Sequence, residues 1–323
     1  MPPKVSVIIP IYNAGDCLER CLNSVLQQTL CDIEIVCVLD CPTDGSDVIV
    51  KEFAQTDKRI RIIENKENLH IGCSRNIGLS HAQGEYVAFC DDDDLMENNF
   101  IKTMLAEAER THSFIVASYD SYYQEPESPH SIDCNTKDAF LDVFSGKAGK
   151  YSPSVWTYLY RRDFLVTHQI EFVDTRRVSI EDKLFVTTVL AHAIRDGIST
   201  FPLVRQHLYV HAIEHTNSKY SYRKPEKILA MLEQMGNIDL IVENNTSISQ
   251  YLTPYTECIA IMLYGSLRQE LRQNGIKSCI KKMYLVKGYP NIRSSLIDNH
   301  VLYNKRLTIP KNLLLFILKK MVS

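Results

Sequence analysis

Along the amino-terminal part of the chain, apolar residues follow two alternating rhythms. Val5 to Pro10 reads as a β-branched strand, whereas Asp16 to Gln28 carries Cys17, Leu18, Cys21, Leu22, Val25 and Leu26 at helical spacing. Ile33 to Leu39 is a second apolar run. A helix from about Ser46 to Thr56 follows, then a short strand at Arg59 to Glu64, a helix from Cys73 to Ala82, and a strand from Tyr86 to Cys90. Strands that are apolar throughout, separated by amphipathic helices, predict an α/β fold with a mostly parallel central sheet covered by helices on both faces.

The last of these strands runs directly into Asp91, Asp92, Asp93 and Asp94. Four adjacent carboxylates repel one another and add little stability, so a counter-ion explains them better than folding does. Open α/β sheets bind ligands at the carboxyl ends of their strands. Hard oxygen ligands placed there suit a divalent cation holding a diphosphate. The competing reading is a solvated acidic turn capping a helix that begins near Glu97. A calcium loop starting at Asp91 fails, because Leu95, Met96 and Lys102 stand where such a loop needs a ligand, a glycine and a bidentate glutamate.

Four strings precede or contain this cluster in order: Val5-Ser-Val-Ile-Ile-Pro-Ile-Tyr-Asn13, Leu39-Asp-Cys-Pro-Thr-Asp-Gly-Ser46, Gly72-Cys-Ser-Arg-Asn-Ile-Gly78 and Phe89-Cys-Asp-Asp-Asp-Asp-Leu95. Two more follow, Val155-Trp-Thr-Tyr-Leu-Tyr-Arg-Arg-Asp163 and Ile180-Glu-Asp-Lys-Leu-Phe185. Together they resemble the ordered motifs of family 2 glycosyltransferases of the bacterial polysaccharide or lipopolysaccharide type, which have the GT-A fold. The resemblance extends to about residue 218. It implies a GT-A domain over 1–218, with residues 1–105 binding the nucleotide sugar and 106–218 the acceptor, followed by a helical region over 219–323. It also implies an inverting transfer from a nucleoside diphosphate sugar, with a uridine diphosphate sugar the expected donor. The expected acceptor is a saccharide or lipid-linked glycan.

Residue by residue, the resemblance makes Asp93 and Asp91 ligands of Mn2+ or Mg2+, with Asp91 and Asp92 near the donor. Because all four residues are Asp, a register one residue away stays open. Pro10 and Tyr12 end the first strand beside the expected base, where Tyr12 is either a stacking ring or a half-buried strand end. Asp40 resembles the family's acid near base and ribose, although Leu39 stands where a second acid is common. Arg75 would bind phosphate or brace the aspartates. Asp182 is the expected general base and Glu181 its neighbour, contacting the acceptor; two acids in the first turn of a helix are also favoured by its dipole. Trp156, the single tryptophan, is either an acceptor platform or a core residue. His215, with His211 second, resembles a histidine that reaches the metal.

Composition removes other classes. A net charge of -3 gives no reason to expect a nucleic-acid partner. The ten cysteines contain no Cys-x-x-Cys pair and no zinc spacing, which fits free thiols in a reducing cytoplasm. Met-Pro-Pro-Lys leads at once into a strand, without signal-peptide organisation. Lys224 to Val242 and Thr256 to Asn274 read as amphipathic helices. Past Asp298 the chain has no acid, while Lys305, Arg306, Lys311, Lys319 and Lys320 surround the apolar run from Leu313 to Leu318. Such a tail suits the surface of an anionic membrane, a packed helix or a dimer contact. The expected location is therefore cytoplasmic, with peripheral contact on the inner membrane face. Two rivals to the enzyme reading remain: a sugar-phosphate nucleotidyltransferase, set back by Tyr12-Asn13-Ala14-Gly15 in place of a glycine-rich phosphate loop with a lysine, and an inactive sugar-binding relative, set back by Asp93 and Asp182.

Overall fold

The computed structural model describes residues 2–119, 130–145, 151–178, 180–211 and 225–243, with isolated residues between 277 and 292. The chain divides into two compact units. The first is Met1–Thr175, Glu181–Ala193 and Ile198–Ser218; the second is Arg176–Ile180, Ile194–Gly197 and Lys219–Ser323.

The first unit begins as its pattern predicts, with β1 (Val5–Ile11), α1 (Cys17–Leu26), β2 (Ile33–Leu39), α2 (Ser46–Thr56), β3 (Ile60–Glu64), α3 (His70–His81) and β4 (Tyr86–Phe89). There follow β5 (Leu95–Met96), α4 (Phe100–Thr111), β6 (Ile115–Tyr119), β7 (Ile132–Asn135) and α5 (Thr136–Ser145). A tight turn at Val155–Thr157 leads into β8 (Tyr158–Arg161), α6 (Arg162–Thr167), α7 (Glu181–Arg195), β9 (Thr200–His207) and β10 (Tyr209–Val210). The second unit contributes α8 (Pro225–Glu243).

Eight strands form one sheet in the order β3-β2-β1-β4-β8-β6-β9-β7. β1 to β4 pair in parallel, as do β6 and β9, whereas β8 runs antiparallel between β4 and β6, and β7 runs antiparallel to β9. Every residue of β1 and β2 is buried, as expected for strands covered on both faces. Pro10 costs no ladder bond to β4, whose pairing with β1 ends at Ile8 and Phe89. Helix α3 lies close to β1: a Cβ on Gly78 would collide with the Ile8 side chain, and one on Gly72 with the Val173 carbonyl.

The acidic segment is a turn, closed by the Asp94 N–H on the Asp91 carbonyl at 3.2 Å, but it does not cap α4. β5 follows it directly and pairs antiparallel with β10, and α4 starts only at Phe100. Among the described residues no helix is long and apolar enough to cross a membrane. The eight described cysteines are free thiols, and most are buried. The basic tail and the region of the second expected helix lie outside the described residues.

Candidate active site

At the carboxyl ends of β1, β2 and β4 the loops are tied to one another by side chains. Asp44 accepts the Gly15 N–H (2.8 Å) and both the N–H (3.0 Å) and hydroxyl (2.7 Å) of Ser46. Burial alone would raise its carboxyl, but the hydrogen bonds from Ser46 and Gly15 outweigh it and hold Asp44 below the usual range. Asn13, with φ of 54°, accepts the Thr43 N–H at 2.7 Å. These bonds fix the loop that presents Tyr12, whose ring is 50% exposed.

Asp40 ends β2 fully buried. One carboxylate oxygen accepts from Leu69 N–H and Asn65 Nδ2, and the other from His70 N–H, all at 2.8 Å. A carboxylate on these first N–H groups starts α3 and favours its dipole. Asp40 thus acts on the helix that carries Arg75, and its oxygens face two backbone N–H groups and the Asn65 amide. This also explains why α3 begins at His70, three residues before the periodicity places it.

Arg75 is the centre of the site. It is 1% exposed, and its guanidinium reaches Asp91 Oδ1 at 2.6 Å, Asp182 Oδ1 in a closer hydrogen bond, and Glu181 Oε1 at 3.9 Å. The guanidinium carbon lies 5.2 Å from the centre of the Phe172 ring. That ring stacks on Phe185 at 4.0 Å and meets Phe89 edge-on at 5.1 Å. Asn76, next to Arg75, clamps Phe172 with two backbone bonds of 2.8 Å, donating to its carbonyl and accepting its N–H. Arg75 Nε is buried with no hydrogen-bond partner, so the cation is held by carboxylates on one side and an aromatic face on the other.

The four aspartates diverge. Asp91 faces Arg75; Asp92 accepts the Tyr12 N–H at 2.8 Å. Asp94 turns inward, fully buried, and accepts the Tyr209 hydroxyl at 2.9 Å, while that same hydroxyl accepts the Asp91 N–H at 3.0 Å. Asp93 remains partly exposed on this segment. Burial, reinforced by Asp93 and Asp91 and opposed by the Tyr12 N–H, pushes the Asp92 carboxyl well above its ordinary range. Hard oxygen donors with surplus negative charge fit a divalent cation in chemistry. Among the described residues, however, no three His, Cys, Asp or Glu side chains form a ready cage.

Glu181 and Asp182 occupy the first turn of α7, following Ile180 with φ of 62°. Asp182 is 24% exposed. Burial, together with Glu181 and Asp91, pushes its carboxyl up to about 7 against the opposing pull of Arg75.

Trp156 is 5% exposed and stacks on Tyr209 with ring centres 4.5 Å apart and planes 15° from parallel. One face is therefore taken, and the core alternative fits this geometry; the ring backs the tyrosine that holds the aspartates. His211 lies 5.7 Å from Trp156. His215 lies outside the described residues. The structure thus gathers Asp91, Arg75, Glu181 and Asp182, and joins Tyr12 to Asp92. Pro10 lies in β1, and Asp40 holds the start of α3, the helix that carries Arg75. Tyr209 and Phe172 escaped the sequence reading. Tyr209 comes 115 residues after Asp94, and its place depends on the pairing of β5 with β10.

Residues 6–166 match the family model described as glycosyl transferase family 2. The chain carries a family 2 glycosyltransferase domain. This glycosyltransferase is 28% identical over 299 residues to the uncharacterized glycosyltransferase YibD of Escherichia coli, covering 90% of the chain and 81% of YibD. Its fold is that of S. aureus TarS, solved in complex with UDP, with a TM-score of 0.68 at 19% identity, over 99% of this chain and 88% of the other. The mannosyltransferase PcManGT of Pyrobaculum calidifontis, in complex with GDP-Man and Mn2+, aligns with a TM-score of 0.53 at 16% identity, over 95% and 89%. The GT-A architecture is thereby shared with both.

Proposed function

We propose that this glycosyltransferase moves a sugar, with inversion, from a uridine diphosphate sugar to a hydroxyl of a saccharide or lipid-linked glycan in a metal-dependent reaction. One observation carries the reading: Arg75 joins Asp91, at the end of the strand expected to hold the donor, to Asp182, the expected base. In this reading residues 1–105 bind the donor, 106–218 the acceptor, and the helical region over 219–323 makes peripheral contact with an anionic membrane from the cytoplasmic side through its basic tail. The TarS complexes with UDP and UDP-GlcNAc support a uridine donor, and the Mn2+ of PcManGT supports a cation.

Asp93 and Asp91 would hold the cation, whose charge, when bound, offsets that of the departing diphosphate. The exposed Tyr12 ring stacks on the base, and its N–H fixes Asp92. Asp182 accepts the proton of the acceptor hydroxyl as that oxygen bonds to the anomeric carbon and the bond to the diphosphate breaks. A carboxyl that titrates at about 7 is well matched to that task near neutral pH. Arg75 orients Asp182 and prevents Asp182 and Asp91 from repelling each other.

Slow hydrolysis of a panel of nucleotide sugars by the full chain, with and without a chelator, tests the reading. Uridine donors should be cleaved, chelation should stop cleavage, and Asp93→Asn should behave as the chelated enzyme. Cleavage indifferent to both chelator and substitution would overturn the metal assignment.

A further inference from the structure

A second cleft opens on the opposite edge of the sheet, with a volume of about 690 Å3. Arg161, on its wall, is paired with Tyr86 at the start of β4. Asp91 comes five residues after Tyr86, so at ~3.3 Å per residue the two places are separated by ~16 Å along the strand direction. This cleft is therefore distinct from the carboxylate site.

Its lining combines two kinds of surface. The floor is aromatic: Phe114 lies 4.9 Å from Phe164 and 6.3 Å from Phe201, centre to centre. The rim is charged but balanced. Arg161 Nε is 2.9 Å from Asp163 Oδ1, an ion pair in which this nitrogen makes no hydrogen bond, Arg110 is held at 2.7 Å by Glu107, and Asp133 stands near Arg110. An anion would have to compete with carboxylates already on both arginines, and a cation with the arginines themselves. A ligand with many neutral hydroxyls has no such conflict, because each hydroxyl both donates and accepts, matching guanidinium and carboxylate side by side. Phe164 is the partly exposed ring of this floor, with Phe114 and Phe201 buried behind it, so it offers an aromatic surface to the apolar face of a sugar ring, and the volume falls in the range of about 300–1,000 Å3 usual for ligand sites.

We infer that this cleft is a second, non-catalytic site for a neutral oligosaccharide, formed by Arg110, Asp133, Arg161 and Asp163 over the phenylalanine floor. It rests on the chain being a glycosyltransferase, which places glycan near it, and not on the identity of the donor. A site ~16 Å from the reacting groups would hold the growing chain between transfers.

The test is titration of the full chain with chitotetraose and cellotetraose, followed by calorimetry or saturation-transfer NMR, beside a hyaluronan tetrasaccharide and inorganic phosphate. The double variant Arg110→Ala/Asp133→Ala changes two exposed rim residues, so the fold should persist. Asp163→Asn, isosteric and also exposed, serves if the double variant does not fold. Neutral tetrasaccharide binding should weaken at least ~10-fold in either variant. The inference is overturned if neither neutral probe binds the wild-type chain, if affinity is unchanged in a folded variant, or if the anionic probes bind more tightly than the neutral ones. Nucleotide-sugar hydrolysis by the same wild-type sample separates the two proposals. Hydrolysis without tetrasaccharide binding sinks this site alone, whereas binding without hydrolysis sinks the proposed reaction.

Discussion

Replacing Arg75 by Met should destabilise the catalytic unit more than any surface change, because it removes the charge shared by three carboxylates. Asp91 and Asp182 contact the guanidinium directly and Glu181 lies 3.9 Å away, while Arg75 itself is 1% exposed. Breaking a buried pair by deleting one partner costs about 3–5 kcal/mol, mostly from the charge left behind. Met keeps much of the side-chain volume over Phe172, so the loss is chiefly electrostatic. For a unit of this size ~1 kcal/mol shifts the melting temperature by about 2–4 °C, which gives a fall of about 6–20 °C.

The dependence on pH identifies the cause. Asp182 titrates in the fold at about 7, above its ordinary value of 3.8. The folded state therefore binds more protons than the unfolded chain between those values, and this group's contribution to stability declines as pH rises from about 4 to about 7. Without Arg75 the opposing charge is gone, so the decline should extend to higher pH. Melting curves of wild type and Arg75→Met from pH 5 to 8 should show a deficit that grows with pH. A deficit below ~1 kcal/mol, or one that is constant across that range, would refute the view that Arg75 compensates buried carboxylates.

Asp182→Asn should leave donor binding intact and cut turnover at least ~100-fold, as measured by sugar transfer or donor hydrolysis beside nucleotide binding; equal loss of both would move Asp182 to the donor site. Wild-type turnover should rise with pH through about 7, since a base must be ionised to accept a proton, and a flat profile would speak against it. Asp40→Ala removes the acceptor for Leu69 and His70 N–H and should cost about 1–3 kcal/mol, with faster amide exchange in the first turn of α3; unaltered exchange there would show that the helix starts without it. Tyr209→Phe removes the hydroxyl between Asp94 and the Asp91 N–H; nucleotide affinity in the presence of Mn2+ should fall several-fold, and an unchanged value would detach Tyr209 from the acidic segment.

The sequence by itself determined the layout of the donor half. Strands buried on both faces read as mostly apolar runs, interrupted by Ser6 in β1 and Glu34 in β2, and β2 and α2 begin and end where periodicity puts them. The order of motifs identified the family, and four adjacent aspartates after a strand marked one edge of the sheet as chemical. Local pattern did not show that β8 and β7 reverse direction, because pairing direction is set by which strands meet, not by their composition. Tertiary structure alone distinguished the aspartates: Asp91 faces Arg75, Asp92 meets the Tyr12 N–H, and Asp94 is drawn into the core by a tyrosine from a distant strand. The sequence leaves two roles open for Arg75, phosphate ligand or brace for the aspartates. What the fold adds is the burial of its guanidinium against two carboxylates and an aromatic ring, because a charge removed from water must be matched where it lies.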